Sequence, residues 1–393
     1  MFKKIFYSLL AVTLLCGVVS CQESVSHVGK RVFKVAQQQF KLLDARLEPG
    51  EMPRTLNADG TPRNNTSISY WCTGFYPGSL WYVYEYTGDP EIKALAEKHT
   101  HYLDTIVRAR THHDIGFQVN SSFGNAYRLT GDKAYLPYIE SAAAKLAKRF
   151  NPVVGVIKSW ESNKKWAYPV IIDNMMNLEL LERASKLFSC DSLDQIAKTH
   201  ARTTMKNHFR DDYTTFHVVS YNPEDGSVAI RQTHQGYFDD SAWARGQAWG
   251  LYGYTMMARE TGEADLLAQA EHIADMLLPR LPEDGVPYWD FDAPDIPNTV
   301  RDASAGAIMA SAFVELSTLT ADPARAKACR QMAEKQIRTL AGPEYLAKVG
   351  ENGNFLLKHS VGSFPHKSEV DVPLTYADYY FLEAILRYNK LSK

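Results

Sequence analysis

Two aspartates in this chain lie where a helix is expected to begin, and a carboxyl group there could donate or accept a proton. Asp173 precedes the helical pattern of residues 174–188, and Asp114 holds a similar place in HHDIGF (112–117). An aspartate at a helix start commonly caps the helix by accepting its free N–H groups, and a cap alone would explain either residue. Aromatic side chains within residues 160–168 lie just upstream of Asp173, and they favour a site.

A pair of carboxyl groups beside one pocket suggests glycoside chemistry. Such a site needs a proton donor, and a carboxyl group keeps its proton near neutral pH when burial or another negative charge raises its pKa. The start of a helix has the opposite effect. Asp173 can therefore act as the acid only if burial and Asp114 together outweigh the helix. Whether the second carboxylate is a nucleophile or a base stays open, because the separation of the two groups decides it in ordinary glycosidases.

A cation and an aromatic ring share one face of another predicted helix. Arg245 and Trp249 are four residues apart in RGQAWG (245–250). The pair fits recognition of a sugar carboxylate, and it fits equally a cation–π contact that only packs. The neighbouring residues His112 and His113 could suggest a metal, but the ligand spacings of a zinc site are missing. We therefore predict no metal and no other cofactor.

Helices must position these residues, because helical patterns fill most of the chain. Amphipathic patterns alternate with patterns rich in aromatic or small residues, and turns such as Thr87-Gly88-Asp89 separate them. Outer helices are predicted at 28–46, 90–107, 134–150, 193–207, 264–281 and 323–340. Inner helices are predicted at 76–86, 119–129, 174–188, 242–260, 303–319 and 379–389. Six inner helices ringed by six outer ones make an all-α fold, an (α/α)6 barrel.

Loops that lead into the inner helices meet at one end of such a barrel. Asp114, Asp173 and the segment 241–249 all fall at that end, so they are predicted to share one site. Little of the chain has a strand pattern, apart from one hairpin predicted from residues 215–220 and 227–232.

Composition indicates one enzyme-sized domain, predicted as residues 21–393, and a monomer. A formal net charge of −2 argues against nucleic acid as a partner, because such binding depends on neutralising phosphates. Aromatic residues make up 12% of the chain, which points weakly to carbohydrate. Cys72, Cys190 and Cys329 are odd in number and widely spaced, so we expect buried thiols and no disulfide framework.

Residues 1–20 are predicted to be a lipoprotein signal peptide. Lys3 and Lys4 precede an apolar run at 5–19 that is too short to span a membrane, and small residues then precede Cys21. A lipid on Cys21 would attach the mature protein to a membrane without spanning it. The predicted location is the bacterial cell envelope, facing the periplasm. An ordinary secretory signal with an incidental cysteine is the alternative.

Five motifs together resemble the unsaturated glucuronyl hydrolases, glycoside hydrolase family 88. They are HHDIGF (112–117), YPVIIDNMMNLELL (168–181), RQTHQGY (231–237), DDSAWARGQAWGLYGY (239–254) and YADYYFLEAILR (376–387), and the likeness covers the mature chain. The resemblance implies an (α/α)6 barrel. It also implies an enzyme that removes the terminal 4,5-unsaturated uronic acid from lyase-generated glycosaminoglycan oligosaccharides by hydrating the C4=C5 bond.

Roles for single residues also follow from the resemblance. Asp173 would protonate C4 and activate the water that adds at C5, and Asp114 would grip ring hydroxyls and help to keep Asp173 protonated. The subsite for the unsaturated uronate would be lined by His113, Phe117, His217, Gln235, Arg245 and Trp249, with Arg231 and Thr233 nearby.

The substrate is a planar, anionic enol ether, and stacking by Trp71, Trp160 or Trp249 suits it. Members of the family that accept sulfated sugars place Ser and Lys side chains in the region of residues 358–367. That region contains Ser363 here, and the tolerance for sulfate stays open.

Two other functions stay open from the sequence. One is an unsaturated rhamnogalacturonyl hydrolase, which shares this fold and chemistry but acts on pectin fragments. The other is a non-catalytic lipoprotein that binds oligosaccharides. The pair Asp114 and Asp173 argues against the second, because binding alone does not require an acid.

Overall fold

The computed structural model describes residues 23–109 and 112–391, so the predicted signal peptide and Cys21 lie outside the described residues. The described part contains thirteen α-helices: α1 Val25–Asp44, α2 Phe75–Thr87, α3 Pro90–His101, α4 Ile115–Val119, α5 Asn125–Thr130, α6 Leu136–Ala147, α7 Leu178–Phe188, α8 Asp191–His208, α9 Ala244–Thr261, α10 Ala264–Leu277, α11 Ala303–Leu319, α12 Pro323–Leu340 and α13 Thr375–Lys390. A π-helical turn, Asn120–Gly124, joins α4 to α5, and a 3₁₀ helix, Ile172–Asn177, leads into α7. Within that same part, no helix has the length and apolar character that a membrane span needs.

Inner and outer helices alternate along the chain, as the sequence predicts. The inner set is α2, α4–α5, α7, α9, α11 and α13, and the outer set is α1, α3, α6, α8, α10 and α12. Helix α9 is buried at every position from Ala244 to Ala258, whereas α1 buries one face only. A helix buried all round belongs inside the barrel, and one with a polar face borders solvent. The (α/α)6 barrel is thereby confirmed.

The recurring Thr-Gly-Asp turns join inner helices to outer ones. At the first turn, Gly88 ends α2 with a φ of 69°, a left-handed conformation that favours glycine. The Asp89 side chain then caps α3 by accepting from the Glu91 N–H at 2.9 Å. The Thr87 hydroxyl accepts from the Asp89 N–H at 3.2 Å. Each residue type in the turn thus has a separate structural role.

Within the residues that the structure describes, nine short strands lie in the loops between helices: β1 Met52–Leu56, β2 Pro62–Asn65, β3 Phe150–Asn151, β4 Val156–Ile157, β5 Tyr168–Ile171, β6 Val218–Tyr221, β7 Val228–Gln232, β8 Ser360–Ser363 and β9 Ser368–Val372. The predicted hairpin is β6–β7, and β5 adds a third antiparallel strand beside β6. All four residues of β5 are buried, so the strand lacks the alternation that reveals strands in a sequence. The sequence analysis missed β5 for that reason.

One hydrophobic cluster extends from Val25 to Leu386 and includes residues of all six inner helices. Cys72 and Cys329 are buried free thiols, as expected. The expectation is wrong for Cys190, which is only half-buried because it lies in the turn before α8.

Candidate active site

The motifs HHDIGF (112–117) and YPVIIDNMMNLELL (168–181) are in contact through Gly116 and Asn177. The Phe117 N–H donates to Asn177 Oδ1 at 2.8 Å, and this bond joins the start of α4 to the 3₁₀ helix that carries Asp173. The approach is close: a Cβ on Gly116 would lie 2.5 Å from Asn177 Oδ1 and 2.7 Å from its Cα. Only glycine leaves room for this contact, so Gly116 and Asn177 together place the two aspartates at the same end of the barrel.

Asp173 is not a helix cap. It is the second residue of the 3₁₀ helix Ile172–Asn177, and no side chain caps the start of that helix. Its side chain is only 14% exposed, and its Oδ2 has no hydrogen-bond partner among the described residues. A buried polar atom without a partner is costly, so it is a candidate for contact with a substrate. The cap that the sequence allowed for Asp173 is therefore excluded.

The environment of Asp173 favours its protonated form. Burial, followed by the negative charge of Asp114, raises the pKa of Asp173 to about 7. Arg245 and the Trp249 indole act in the opposite direction without reversing the shift. Asp173 therefore holds its proton in a substantial fraction of molecules near neutral pH, as a general acid requires.

Asp114 stays ionised because two histidines surround it. Its Oδ2 lies 2.9 Å from His112 Nδ1 and 3.3 Å from His113 Nε2. Burial acts to raise the pKa of Asp114, but His113 and His112 outweigh it and leave the pKa below its ordinary value. Burial lowers the pKa of His113 to about 4, so this ring is neutral near pH 7. Asp114 raises the pKa of His112 against the effect of burial.

His217 directs an N–H group at Asp173. Its Nδ1 accepts from the backbone N–H groups of His234 and Gln235 at 3.1 and 3.2 Å, which leaves the proton on Nε2. That Nε2 lies 3.7 Å from Asp173 Oδ2, and neither atom has a hydrogen-bond partner among the described residues. Burial lowers the pKa of His217 well below its usual range, so the ring is neutral. His217 Nε2 and Asp173 Oδ2 face each other but are too far apart for a hydrogen bond. Both atoms are therefore free to bind a substrate hydroxyl or a water.

Arg245 is buried and bound to protein groups. Its Nη1 lies 3.1 Å from Asp302 Oδ2, and the guanidinium also donates to the carbonyls of Val361 and Gly362 in β8. The guanidinium carbon, Cζ, lies 4.6 Å from the centre of the Trp243 ring and 5.5 Å from that of the Tyr376 ring. The rings beside the cation are therefore Trp243 and Tyr376, and the predicted partner Trp249 is not among them. Arg245 holds β8 against the site and brings a positive charge near Asp173.

The predicted tryptophans occupy different positions. A cleft of ≈ 360 Å³ opens beside Asp114, and Trp71 and Trp160 are among its lining residues. Trp249 is fully buried against Phe117 and Tyr380, with ring centres 5.2 and 5.6 Å away. A sugar cannot stack on the face of Trp249 in this structure, so the stacking role fits Trp71 and Trp160 only. The Trp249 Nε1 atom is also buried without a hydrogen-bond partner among the described residues.

Two residues of the motif RQTHQGY lie apart from this cleft. Strand register pairs Arg231 with Val219, and the exposed Arg231 donates to the Asn207 carbonyl at 2.8 Å. Its neighbour Gln232 lies on the opposite face and accepts from the Trp166 indole at 3.0 Å. Thr233 accepts from the Gly236 N–H at 2.8 Å and so stabilises a turn. The structure therefore does not bring Arg231 into the cleft, and Thr233 has a structural role.

Gln235 and Ser363 lie where two loops meet at the site. The Gln235 amide donates to the Gly362 carbonyl at 2.9 Å, which ties the loop after β7 to β8. Ser363 Oγ lies 2.8 Å from His366 Nδ1, and the His366 ring is 4.5 Å from that of His234. Gln235 is therefore tied to β8, Ser363 lies beside His366, and their role in binding a substrate stays a prediction.

The sequence analysis missed several residues of the site. Trp243 packs on His217 with ring centres 4.5 Å apart, and Tyr376 lies beside Arg245. Both residues belong to quoted motifs, so their aromatic character was the available signal. Asp302 gave no signal, because its contact with Arg245 joins residues 57 positions apart.

Comparison with known proteins gives consistent matches. The sequence-family model described as Glycosyl Hydrolase Family 88 matches residues 48–390 of this chain. An "Unsaturated glucuronyl hydrolase" of Formosa agariphila is 39% identical, and the match covers 99% of each chain. The crystal structure of an unsaturated glucuronyl hydrolase specific for heparin superposes with a TM-score of 0.90 at 49% identity, covering 93% of this chain and 98% of the other.

A second solved structure contains a ligand. It is an Asp-to-Asn mutant of the unsaturated glucuronyl hydrolase from Streptococcus agalactiae, complexed with dGlcA-GalNAc6S. Its TM-score is 0.80 at 29% identity, and the match covers 93% of this chain and 92% of the other.

Proposed function

The chain belongs to glycoside hydrolase family 88, and we propose that Asp173 and Asp114 carry its activity, the removal of a 4,5-unsaturated uronic acid from glycosaminoglycan oligosaccharides. One observation carries this assignment of residues. The two carboxyl groups lie at one end of the barrel with pKa values shifted apart, to about 7 for Asp173 and below the ordinary value for Asp114. Environments that separate two pKa values in this way distinguish the group that can donate a proton, Asp173, from the group that stays ionised, Asp114.

The reaction we propose is hydration of the C4=C5 double bond. Asp173 donates its proton to C4, and the positive charge that develops at C5 is shared with the ring oxygen. Water then forms a bond to C5 and gives a proton to the Asp173 carboxylate, which restores the acid. The product is a hemiketal, which opens and releases the neighbouring sugar.

Three other side chains support this reaction. The neutral His217 directs its Nε2–H toward Asp173 Oδ2, so it can orient a substrate hydroxyl or a water that contacts both atoms from the side. The ionised Asp114 keeps a negative charge near Asp173, raises its pKa and can accept hydrogen bonds from sugar hydroxyls. Arg245 supplies a positive charge that favours an anionic sugar near Asp173.

The position of the sugar follows from the cleft. Trp71 and Trp160 line it, and Phe117 lies beside Trp71 with ring centres 5.6 Å apart. His113 contacts the lining residue Asp114, and Trp249 is buried behind Phe117. Gln235 contacts Gly362 of β8, and Ser363 is the last residue of that strand. We propose that the unsaturated uronate lies at the inner end, against Asp173, and that the next sugar contacts Trp71 or Trp160.

Glycosaminoglycan products are a better fit than pectin products. The relatives bear the names glucuronyl hydrolase and chondroitin disaccharide hydrolase, and one ligand contains a GalNAc6S residue. A purely binding role has less support, because these relatives are enzymes. Which glycosaminoglycan is preferred depends on contacts with the second sugar.

The test follows the ultraviolet band of the conjugated uronate. Purified protein is mixed with unsaturated disaccharides from chondroitin, hyaluronan, heparin and pectin. Loss of the band with a glycosaminoglycan product, with deuterium from heavy water at C4 of the product, is the expected result. Loss only with the pectin product would move the activity to the sister class, and an unchanged band with every substrate would contradict the proposal.

We further propose that a lipid on Cys21 anchors the protein to the cell envelope. The first half of α1 packs toward the end of the barrel opposite the two aspartates, because Phe33 stacks on Tyr86 near the end of α2 with ring centres 4.0 Å apart. Since a 20-residue helix is about 30 Å long, an anchor just before α1 would hold the cleft away from the bilayer. Cys21→Ser should then shift the protein from the membrane fraction to the soluble fraction, and an unchanged distribution would contradict the anchor.

A further inference from the structure

Three exposed aromatic side chains gather beside the cleft. Tyr237, Phe238 and Phe364 are 47, 48 and 38% exposed, and they are three of the eight large hydrophobic side chains that are exposed in the described part of the chain. Phe364 stacks on the buried Trp289 with ring centres 4.4 Å apart and planes within 14°. Tyr237 meets the edge of Trp289 at 6.3 Å and that of Phe238 at 5.4 Å. We call Tyr237, Phe238 and Phe364 the aromatic platform.

The platform is held rigidly. The buried Asp290 carboxylate accepts from the Tyr237 N–H at 2.9 Å and from the Ser241 hydroxyl at 2.7 Å. The Ser241 hydroxyl oxygen in turn lies 3.2 Å from the Phe238 N–H, which donates to it. These bonds fix the backbone that carries two of the three exposed rings. Exposed aromatic patches of this kind commonly mark binding sites, and fixed rings bind at a lower entropic cost.

The platform is continuous with the active site. Gln235 and Gly362 are hydrogen-bonded to each other at the site, and each lies two residues before a platform ring, Tyr237 and Phe364 respectively. A separation of two residues spans at most about 7 Å, the length of a fully extended chain. The His234 ring lies 5.2 Å from that of Trp160 and 4.5 Å from that of His366, which is two residues after Phe364 in the chain. A chain that leaves the cleft past Trp160 would therefore reach the platform next.

We propose that the aromatic platform is an outer carbohydrate subsite that binds the third and later sugars of an unsaturated oligosaccharide. Flat aromatic rings suit the apolar faces of pyranose rings, and a patch that adjoins a sugar-binding cleft has the rest of the same chain as its nearest occupant. The inference rests on the proposed function and adds a preference for chain length to it. The platform lies outside the reaction centre, so it should act on binding and leave the chemical step unchanged.

The test compares two substrates from one lyase digest, the unsaturated disaccharide and the unsaturated tetrasaccharide. In the double variant Phe238→Ala/Phe364→Ala we expect kcat/KM for the tetrasaccharide to fall about tenfold, through KM. The value for the disaccharide should stay within about twofold. Phe364→Tyr keeps a ring and should retain most of the tetrasaccharide preference. Leu42→Ala removes an exposed apolar side chain from the outer helix α1 and serves as the control.

Each other outcome counts against the platform. Equal losses for both substrates would show that these rings only support the cleft. No loss for either would assign the patch to another partner, such as a second copy of this chain, and sedimentation at several concentrations would detect that copy. Failure of the unaltered protein to turn over any unsaturated disaccharide would contradict the proposed function itself.

Discussion

At the scale of single residues, the raised pKa of Asp173 has a consequence for stability. In the unfolded chain this carboxyl group ionises near its ordinary pKa of 3.8, whereas in the folded chain it keeps its proton up to about pH 7. The folded state therefore binds more protons between these values, and stability falls as the pH rises through that window. Above pH 7, ionisation of Asp173 lowers the free energy of unfolding by an amount on the order of a few kcal/mol.

Asp173→Asn should remove that cost. We expect the melting temperature of the variant to exceed that of the unaltered protein at pH 8, and the difference to shrink toward pH 4. Asp114→Asn is the control with the opposite sign: the lowered pKa of Asp114 means that its stabilising contribution is present above its ordinary value and lost as the pH falls. Melting curves of both variants, measured from pH 4 to 8, test this prediction. A gain in the melting temperature of Asp173→Asn that does not depend on pH would contradict the raised pKa of Asp173.

His112 should set the acidic side of the pH–rate profile. Its Nε2 faces the Ser69 carbonyl at 3.0 Å and its Nδ1 faces Asp114 Oδ2 at 2.9 Å, so the protonated ring satisfies both acceptors. When the ring is neutral, Nδ1 can instead accept from the Asp114 N–H at 3.2 Å. The ring can thus lose its proton without moving.

Removing the His112 side chain should raise the pKa of Asp114, because its hydrogen bond and charge interaction both lower that pKa. In His112→Gln we expect the acidic limb of kcat/KM to move to higher pH, because Asp114 must be ionised to act. His101→Gln removes a histidine that pairs with Asp104 on an exposed surface, and it should leave the profile unchanged. Coincident acidic limbs for His112→Gln and the unaltered protein would contradict this role.

At the scale of elements, the contact between α4 and the 3₁₀ helix of residues 172–177 sets the relative position of Asp114 and Asp173. A methyl group on Gly116 would overlap Asn177, so Gly116→Ala must separate the two elements that carry the aspartates. We expect a loss of about 1–3 kcal/mol in the free energy of unfolding, together with a lower kcat. Gly306→Ala is the matched control on α11, because its Cβ would lie 3.5 Å from the nearest atom, an ordinary contact. Urea denaturation and steady-state kinetics of both variants test the role of this contact.

The helices could be predicted from the sequence because inner and outer helices have different patterns of polarity. The alternation, the turns and the end of the barrel that holds the site all followed from that difference. The register of β7 could not be predicted, and it decides that Gln232 faces the Trp166 side while Arg231 faces away. The contacts of Arg245 with β8 could not be predicted from the sequence either, because they join positions more than 100 residues apart.

At the scale of the whole molecule, the end of the barrel opposite the cleft is closed by ion pairs. Arg259 contacts Glu179 and Glu315 at 2.6 Å and Glu260 at 2.8 Å, and Arg387 lies 3.2 Å from Glu315. These groups line a cavity of ≈ 340 Å³ between the ends of the inner helices. Cations and carboxylates are matched there, which indicates a structural role.

Removing the central cation of this network should destabilise the barrel without changing catalysis. Arg259→Met leaves three carboxylates without their shared partner, and we expect the free energy of unfolding to fall by about 3 kcal/mol. Arg202→Met breaks exposed pairs with Glu263 and Asp265 and should cost much less. Denaturant midpoints measure the difference. A large change in KM for Arg259→Met, at a temperature where it is folded, would contradict a purely structural role.

The central claim is that Asp173 is the proton donor of the reaction. The most direct test is the rate at which Asp173→Asn removes the ultraviolet band of the preferred unsaturated disaccharide, compared with the unaltered protein at the same pH. Our account predicts a loss of about a thousandfold in kcat with binding of the disaccharide retained, because general acid catalysis contributes about that much. A variant that keeps its rate within about tenfold of the unaltered protein would contradict it.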